Sequence, residues 1–346
     1  MGAPSRVGAA ARVAALVALS LVAALALSEA VFAALLGAPA ALRHVPGGLA
    51  SHLRAYYLHH DRVMAQSLPE CAIYDPGLFY TLRPGSCRFR NREYDTTLRI
   101  NSQGLRDSEE ALAAPEIIVL GDSFAMGWGV QQEEAFPQVL ARASGRRVLN
   151  AGVPSYGTVR EARLLDRLDT SRLRFLVVEY SSNDSEENRL FEERGNTLLI
   201  EHERLFGQDV QRGVRRLRYY PGKITLEIVR GIFFPPHPGP PVLPAAQQAR
   251  LFVNALSHAT TRDLSAVSLL VLELDSYRVA SSDFVTALMR EAAAPSHPHL
   301  IRTLQVVDLR GRLASGDFFL LDDHLTAPGH AKVAAVLLEK LRELGL

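Results

Sequence analysis

Five short predicted strands, of which the first is the continuous apolar run at 117–120, alternate with stretches of helical periodicity and constrain the fold more than any other feature of the sequence. Continuous apolar runs of this kind are typical of strands buried on both faces of a parallel sheet. Strands that alternate with helices at this spacing predict βαβ units with right-handed crossovers. The predicted strands cover residues 117–120, 147–150, 175–178, 267–274 and 305–309, and the predicted helices cover 133–143, 158–168, 282–293 and 329–344. The predicted fold class is therefore α/β, with a five-stranded parallel sheet.

The N-terminus carries a long apolar stretch. Glu29 is the one charged residue within residues 13–42, and about 20 apolar residues suffice to cross a bilayer. Arg6 and Arg12 precede the stretch, so the positive-inside rule leaves the N-terminus in the cytoplasm. Residues 1–42 are thus predicted to be a single-pass membrane anchor. The rest of the chain then lies on the extracytoplasmic side, in the periplasm or at the cell surface.

A cleaved signal peptide is the alternative interpretation. A candidate cleavage site lies at Ala24-Leu25-Ala26, although the apolar core of a signal peptide has only about 7–15 residues. In either case the rest of the chain is exported and meets oxidising conditions. Cys71 and Cys87 are the only cysteines, too few for a disulfide scaffold or a zinc cluster. They are predicted to form a disulfide, and two unpaired thiols are the alternative.

The remaining chain divides into a lead-in and a larger domain. Residues 43–115 are predicted to form a juxtamembrane stalk and a small irregular β lead-in, and residues 116–346 the α/β domain. An insertion at about 185–260 is much longer than one crossover needs. It contains Arg-rich stretches and a proline-rich run at 235–241 that is interpreted as a rigid loop. The net charge of +1 gives no electrostatic reason to expect nucleic acid as a partner.

Polar residues gather where the predicted strands end. Gly121-Asp122-Ser123 follows the first strand, and the second strand runs into Asn150-Ala151-Gly152. Asn183 follows the third strand, and Asp322-Asp323-His324 precedes the last helix. Ligands of an open parallel sheet bind beyond the carboxyl ends of its strands. The sequence therefore predicts that a serine, a glycine, an asparagine and an aspartate–histidine pair share one rim.

This set of residues matches acyl transfer through a serine nucleophile. Ser123 is a weak nucleophile until a base removes its proton, and His324 is the candidate base because imidazole titrates nearest to neutral pH. A carboxylate at the other ring nitrogen, assigned to Asp322, would fix the tautomer. The developing oxyanion requires preorganised donors. The candidate donors are the backbone N–H groups of Ser123 and Gly152 and the side-chain amide of Asn183.

Three stretches of the chain resemble conserved blocks of the SGNH (GDSL-type) hydrolase family. Residues 117–130 resemble the first block, 150–158 the second, and 324–330 the segment that closes the last block. The residues that give the family its name would be Ser123, Gly152, Asn183 and His324. The resemblance covers residues 116–346, interrupted by the insertion.

The resemblance implies a fold and a chemistry. The fold would be a flavodoxin-like three-layer αβα sandwich. The chemistry would be that of a Ser-His-Asp triad without a cofactor. Members of the family act on esters or transfer acyl groups, often acetyl groups on carbohydrate.

Two positions depart from the family pattern. Ser181 stands where the third block has glycine, and Leu321 stands where the last block has aspartate three residues before histidine. Asp322 is predicted to be the acid, because a spacing of two residues leaves room for its carboxylate to turn back toward the ring. Asp323 is the second candidate. A third possibility is a dyad, in which His324 relies on a backbone carbonyl.

Other polar and aromatic residues have structural interpretations. Asp122 is predicted to cap the helix after the nucleophile or to brace the loop. His59-His60 and His297-x-His299 lack a third ligand of suitable spacing, so no metal site is expected. Trp128 either lines a substrate pocket or packs.

The leading prediction is a membrane-anchored, extracytoplasmic serine esterase or O-acyltransferase that acts on acyl esters, chiefly acetyl esters, of carbohydrate or lipid. Water as the acceptor gives hydrolysis and a sugar hydroxyl gives transfer, and the acylation half-reaction is common to both. Two alternatives remain open. One is a non-catalytic scaffold of SGNH fold that binds polysaccharide or assembles an envelope complex. The other is a membrane-proximal lipase or lysophospholipase.

Overall fold

A computed structural model describes residues 6–234, 243–276 and 283–346, with side chains from residue 10 onward. The proline-rich run at 235–241 lies outside the described residues. The described chain forms two units. The N-terminal unit comprises residues 6–62, 216–234 and 320–322, and the α/β unit comprises residues 63–215, 243–276, 283–319 and 323–346.

The regular elements follow the alternation seen in the sequence. The strands are β1 (Ala72–Asp75), β2 (Phe79–Leu82), β3 (Gly85–Arg90), β4 (Asp95–Ile100), β5 (Ile117–Gly121), β6 (Val148–Gly152), β7 (Phe175–Tyr180), β8 (Ser268–Glu273) and β9 (Gln305–Val307). The α-helices are α1 (Arg6–Gly37), α2 (Gly47–Tyr56), α3 (Ser123–Met126), α4 (Phe136–Ser144), α5 (Thr158–Leu165), α6 (Asp184–Glu193), α7 (Glu203–Leu217), α8 (Lys223–Phe233), α9 (Ala245–His258), α10 (Phe284–Ala292), α11 (His299–Arg302) and α12 (Ala327–Glu343).

A five-stranded parallel sheet in the α/β unit confirms the predicted fold class. The strand order is β6-β5-β7-β8-β9, and every neighbouring pair is parallel. All residues of β5 are buried, as expected of a continuous apolar run with neighbours on both sides. Gly121 at the end of β5 pairs with Gly152 at the end of β6. The two strands therefore end at the same edge of the sheet.

Helices cover both faces of this sheet. Ile117 and Val119 point into a core that includes residues of α4 and α12. Ile118 and Leu120 point into a second core that includes residues of α5, α9 and α10. The result is the three-layer αβα arrangement implied by the family resemblance. Helix α9, which falls within the predicted insertion at 185–260, buries its apolar face in the second core.

Two antiparallel hairpins precede the parallel sheet. Strand β1 pairs with β2, and β3 pairs with β4. Along β4, Thr96, Leu98 and Ile100 are buried and the residues between them are exposed, the alternation typical of a strand with one covered face. A disulfide joins Cys71 to Cys87, which confirms the pairing expected from the sequence.

The N-terminal unit contains the long apolar helix. Within α1, the segment Ala10–Gly37 is long and apolar enough to cross a membrane, with a mean hydropathy of 2.3. A signal sequence near the N-terminus passes the same test of length and composition. The last turns of α1 join a buried cluster that contains Leu36, Leu53, Tyr57 and Ile228. Helices α1, α2 and α8 therefore share one small core.

Removal of the disulfide should destabilise the α/β unit. The two cysteines are 16 residues apart, and a loop of this size contributes about 3 kcal/mol by restricting the unfolded chain. We expect the double variant Cys71→Ala/Cys87→Ala to unfold at a midpoint roughly 5–10 °C lower. Differential scanning fluorimetry with and without reductant measures this. Reductant should lower the wild-type midpoint and leave the double variant unchanged; equal sensitivity of the two proteins would contradict the assignment.

Candidate active site

Ser123 lies in the sharp turn between β5 and α3. Gly121 enters this turn with a φ of 154°, in the region that favours glycine. A Cβ atom at this position would collide with the side chain of Glu179. Asp122 caps α3, since its Oδ1 accepts a hydrogen bond of 2.8 Å from the backbone N–H of Phe124, and this confirms the capping role expected from the sequence. The turn holds the serine at the carboxyl edge of the sheet.

Ser123 and His324 are 201 residues apart in the chain and in direct contact in the structure. The Oγ atom of Ser123 lies 2.7 Å from Nε2 of His324. Both side chains are largely buried, with exposures of 8 % and 6 %. A direct hydrogen bond of this length is the geometry in which an imidazole removes the proton of a hydroxyl group.

Aromatic rings and a carboxylate surround the His324 ring. The Trp128 ring stacks on it with 4.9 Å between centroids and 20° between planes, and the Phe124 ring lies 4.8 Å away. Trp128 is itself buried and packs edge-on against Phe89. Of its two expected roles, packing is therefore the one observed. Nδ1 of His324 lies 3.3 Å from Oδ1 of Asp323, whose side chain is partly exposed.

Asp322 belongs to the N-terminal unit and has different surroundings. Its side chain is fully buried. The hydroxyl group of Tyr57 donates a hydrogen bond of 2.8 Å to its Oδ2, and an Nη1 atom of Arg62 lies 3.6 Å from its Oδ1. These two partners fix the orientation of the carboxylate. The two candidate acids therefore differ in their surroundings. Asp322 is buried beside Tyr57 and Arg62, whereas Asp323 is partly exposed and lies beside His324.

The three predicted oxyanion donors differ in their availability. The backbone N–H of Ser123 has no hydrogen-bond partner among the described residues. Nδ2 of Asn183 donates to Oδ2 of Asp122 at 3.2 Å, and its second hydrogen remains available. The backbone N–H of Gly152 donates to Oδ1 of Asn150 at 3.0 Å. The Gly152 group would have to exchange this bond before it could serve an oxyanion.

Gly152 has a second structural reason to be glycine. A Cβ atom at this position would collide with the backbone of Ala125 and Met126 in α3. The glycine therefore lets β6 approach the short helix that follows the nucleophile.

The backbone N–H of Gly157 is a further candidate donor, which the sequence reasoning did not single out. Gly157 is buried directly before α5, and within the described chain its N–H has no hydrogen-bond partner. The hydroxyl group of the next residue, Thr158, donates to Asp184 at 2.9 Å. This hydrogen bond brings Gly157 and Asn183 near each other, because Gly157 directly precedes Thr158 and Asn183 directly precedes Asp184. Its signal in the sequence is the Gly-Thr pair that ends the second block.

Ser181, which replaces the glycine of the family pattern, has a hydrogen-bonding role. Its hydroxyl group donates to Oδ1 of Asp275 at 2.9 Å. The backbone N–H and the hydroxyl group of Ser182 donate to the same carboxylate. Asp275 therefore fixes the turn that presents Asn183. The sequence reasoning missed Asp275, although an acid close behind the fourth strand was the available signal.

A buried carboxyl group lies beside the nucleophile turn. Oε2 of Glu179 accepts a hydrogen bond of 3.1 Å from the backbone N–H of Asp122. Burial raises the pKa of Glu179 well above its ordinary value, and repulsion from Asp122 and Glu161 raises it further. The raised pKa favours the neutral form. A neutral carboxyl group holds the turn without adding negative charge where an oxyanion would develop.

Metal-ligand chemistry has one candidate group within the described residues, the run Asp322-Asp323-His324. The two ring nitrogens of His324 already face Ser123 and Asp323. The donor set therefore fits a hydrogen-bonded relay better than a metal centre, which would need a free ring nitrogen.

A family model matches more than half of the chain. The model of the GDSL-like lipase/acylhydrolase family matches residues 119–332. No curated protein matches the chain significantly. A solved structure described as a lipolytic protein of the G-D-S-L family from Desulfitobacterium hafniense is 11% identical, covers 64% of this chain and 97% of its own, and has a TM-score of 0.35.

Two further solved structures come from other organisms. A carbohydrate esterase family 2 enzyme from Corynascus thermopiles is 14% identical, with coverage of 66% of each chain and a TM-score of 0.38. Phospholipase A1 from Streptomyces albidoflavus is 12% identical, covers 66% of this chain and 100% of its own, and has a TM-score of 0.36.

Asp122 and Asn183 should behave as a coupled pair. The variant Asp122→Asn keeps an oxygen for the α3 cap but turns an amide toward Asn183, which misaligns the donor. We expect kcat for p-nitrophenyl acetate to fall about 10- to 100-fold with little change in KM. Asn183→Ala should cost about 100- to 1000-fold. In the double variant, Asp122→Asn should add little to the loss caused by Asn183→Ala.

Additive losses in the double variant would contradict this coupling. Thermal unfolding of each variant serves as the control, because a structural defect at the cap would lower the midpoint as well as the rate. Ser265→Ala, at an exposed serine of the same unit outside this turn, is the matched control and should leave the coupling between Asp122 and Asn183 unchanged.

Proposed function

The chain belongs to the GDSL-like lipase/acylhydrolase family and is an SGNH-type hydrolase. On that premise, we propose that it is a membrane-anchored, extracytoplasmic enzyme. Its proposed activity is that of a serine esterase or O-acyltransferase that acts on acyl esters, chiefly acetyl esters. The observation that carries the proposal is the contact of 2.7 Å between Ser123 Oγ and His324 Nε2. A serine–imidazole pair is the minimal apparatus for forming an acyl-enzyme.

In the proposed mechanism, Ser123 attacks the ester carbonyl while His324 takes the hydroxyl proton. The tetrahedral intermediate collapses to an acyl-enzyme, and His324 returns the proton to the departing alcohol. An acceptor hydroxyl group, from water or from a sugar, then loses its proton to His324 and takes the acyl group, and His324 returns that proton to the departing Ser123 Oγ. Water gives hydrolysis and a sugar hydroxyl gives O-acyl transfer.

The proposed oxyanion hole contains the backbone N–H groups of Ser123 and Gly152 and the side-chain amide of Asn183. The N–H of Ser123, which has no partner in the part of the chain that the structure describes, and the second amide hydrogen of Asn183 support this assignment. Because the Gly152 N–H is engaged by Asn150, we include the buried N–H of Gly157 as a further donor. Preorganised donors of this kind stabilise charge that is absent from the ground state.

We propose Asp322 as the acid that orients His324, with Asp323 as the alternative. Asp322 is fully buried and held by the Tyr57 hydroxyl group, and a carboxylate fixed in this way is suited to hold an imidazole in one tautomer. The distance of 3.3 Å between Asp323 Oδ1 and His324 Nδ1 supports the alternative.

The proposed location rests on the apolar helix. Segment Ala10–Gly37 is longer than the bilayer core requires, and Arg12 precedes its apolar run. An anchor of this kind would hold the hydrolase at the membrane surface, where acyl donors and envelope polysaccharide are at hand. Carbohydrate and lipid esters are therefore the substrate classes that we propose.

Ser123→Ala tests the nucleophile. We expect a fluorophosphonate probe to label the wild type and not the variant, and ester hydrolysis to fall at least about 10⁴-fold, because loss of the nucleophile disables the whole relay. Ser265→Ala, an exposed serine of the same unit, is the matched control and should label like the wild type. An unlabelled wild type would instead favour a non-catalytic scaffold.

Asp322→Asn and Asp323→Asn separate the two acids. An amide in place of the orienting carboxylate favours the wrong imidazole tautomer and should lower kcat about 10⁴-fold. We expect this loss for Asp322→Asn and a loss below about tenfold for Asp323→Asn. The reverse order of losses would assign the role to Asp323. Small losses in both variants would show that His324 works as a dyad with Ser123.

A further inference from the structure

Helix α8 is apolar on two opposite faces. Ile224 and Ile228 are buried in the core that it shares with α1 and α2. Leu226, Val229 and Phe233 follow one another at spacings of three and four residues and form a second stripe, with exposures of 48 %, 43 % and 71 %. A helix that is apolar all round normally has both faces covered.

Other apolar and aromatic side chains that lie close to the stripe in the sequence are exposed as well. Ile232 and Phe234 are 46 % and 76 % exposed. Tyr219 and Tyr220, just before α8, are 59 % and 44 % exposed. A patch in which tyrosines border large apolar side chains is typical of proteins at a membrane–water boundary, where the amphipathic rings sit at headgroup level.

Glu29 joins α8 to the apolar helix α1. Its carboxylate accepts hydrogen bonds from the backbone N–H groups of Ile224 and Thr225 at 3.2 and 2.9 Å. It also accepts from the hydroxyl groups of Thr225 and Tyr219, each at 3.0 Å. The single carboxylate of the apolar stretch therefore caps the N-terminus of α8. Beside it, Leu25 packs against Gly222.

This contact fixes the level of α8 along α1. Over the span from Val13 to Glu29, α1 rises about 24 Å, and the hydrocarbon core of a bilayer is about 30 Å thick. With the core beginning at Val13, Glu29 lies close to its outer boundary. The first turn of α8 lies at the same level because it is bonded to Glu29. At the level of this first turn, α1 also exposes apolar side chains, since Leu27 and Val31 on either side of Glu29 are 68 % and 47 % exposed.

We propose that the exposed stripe of α8 is a second membrane-contact surface, which inserts among the lipids of the outer leaflet beside α1. The occupant is the phospholipid bilayer. Exposed Arg218 and Arg230 flank the stripe and reach phosphate groups from this level. This surface would fix the orientation of the enzyme on the membrane in addition to its anchor. The inference rests on the proposed anchoring through α1.

Depth-dependent fluorescence quenching tests this surface. The full chain with the single substitution Phe233→Cys is labelled with an environment-sensitive fluorophore and reconstituted in phosphatidylcholine vesicles. Cys71 and Cys87 are disulfide-bonded and stay unlabelled. Doxyl-labelled phosphatidylcholine should lower the emission at least about twofold, as expected for a side chain buried about 5–10 Å into the headgroup–acyl boundary. Aqueous iodide should quench it several-fold less than a water-exposed control.

Two matched positions make the result decisive. Met289→Cys, on an exposed apolar position of α10, is the aqueous control. Leu21→Cys, on α1, is the control for the anchor and should be quenched by the doxyl lipid. Thermal unfolding of each variant reports whether it folds. If Phe233→Cys misfolds, Val229→Cys on the same stripe replaces it.

Each other outcome overturns the inference. Iodide quenching of Phe233→Cys equal to that of Met289→Cys places the stripe in water. Shielding from both quenchers indicates a second copy of the chain or another protein on the stripe. A Leu21→Cys label that the doxyl lipid does not quench removes the anchor and the surface together, whereas quenching at Leu21 without quenching at Phe233 removes the surface alone.

Discussion

The hydrogen bond between Ser123 and His324 depends on where the parallel strands end. β5 places the serine at the carboxyl edge of the sheet, and the histidine reaches the same edge from the loop before α12. That loop is fixed by its own backbone, since the N–H of Phe319 donates to the carbonyl oxygen of His324 at 3.0 Å and Thr326 donates to that of Asp317 at 2.8 Å. Two segments far apart in the chain are thus each held by their own hydrogen bonds, which is the preorganisation that nucleophilic catalysis requires.

The sheet was predictable because burial on both faces removes polar residues from its strands. The same rule explains the error in the end of β6. The apolar pattern predicts a strand at 147–150, whereas β6 runs over Val148–Gly152. Asn150 looks like the end of a strand in the sequence, but it is fully buried and its amide oxygen is satisfied by the N–H of Gly152. A buried amide with a local partner is compatible with a strand interior, and periodicity alone does not reveal it.

Residue identities at the site were predictable to the extent that chemistry restricts them. Few chemical functions require a serine, a histidine and an amide together at the ends of neighbouring strands. The supporting contacts involve pairs that only the folded chain brings together, such as Trp128 on the His324 ring and Asp275 beneath the turn of Ser181. The choice between Asp322 and Asp323 is of the same kind. Both have the right chemistry and nearly the right spacing, and what distinguishes them is the neighbours that each carboxylate finds.

The contacts of Glu29 bear on whether the N-terminal helix is retained or cleaved. Insertion of an unpaired charged side chain at the centre of a membrane helix costs about 2.5–3.5 kcal/mol. Here the carboxylate is buried and accepts bonds from α8 and Tyr219. Cleavage at Ala24-Leu25-Ala26 would leave Glu29 in a frayed new terminus and separate Leu25 from Gly222. Because Glu29 of α1 caps α8, these contacts support the proposal that the N-terminal helix is retained.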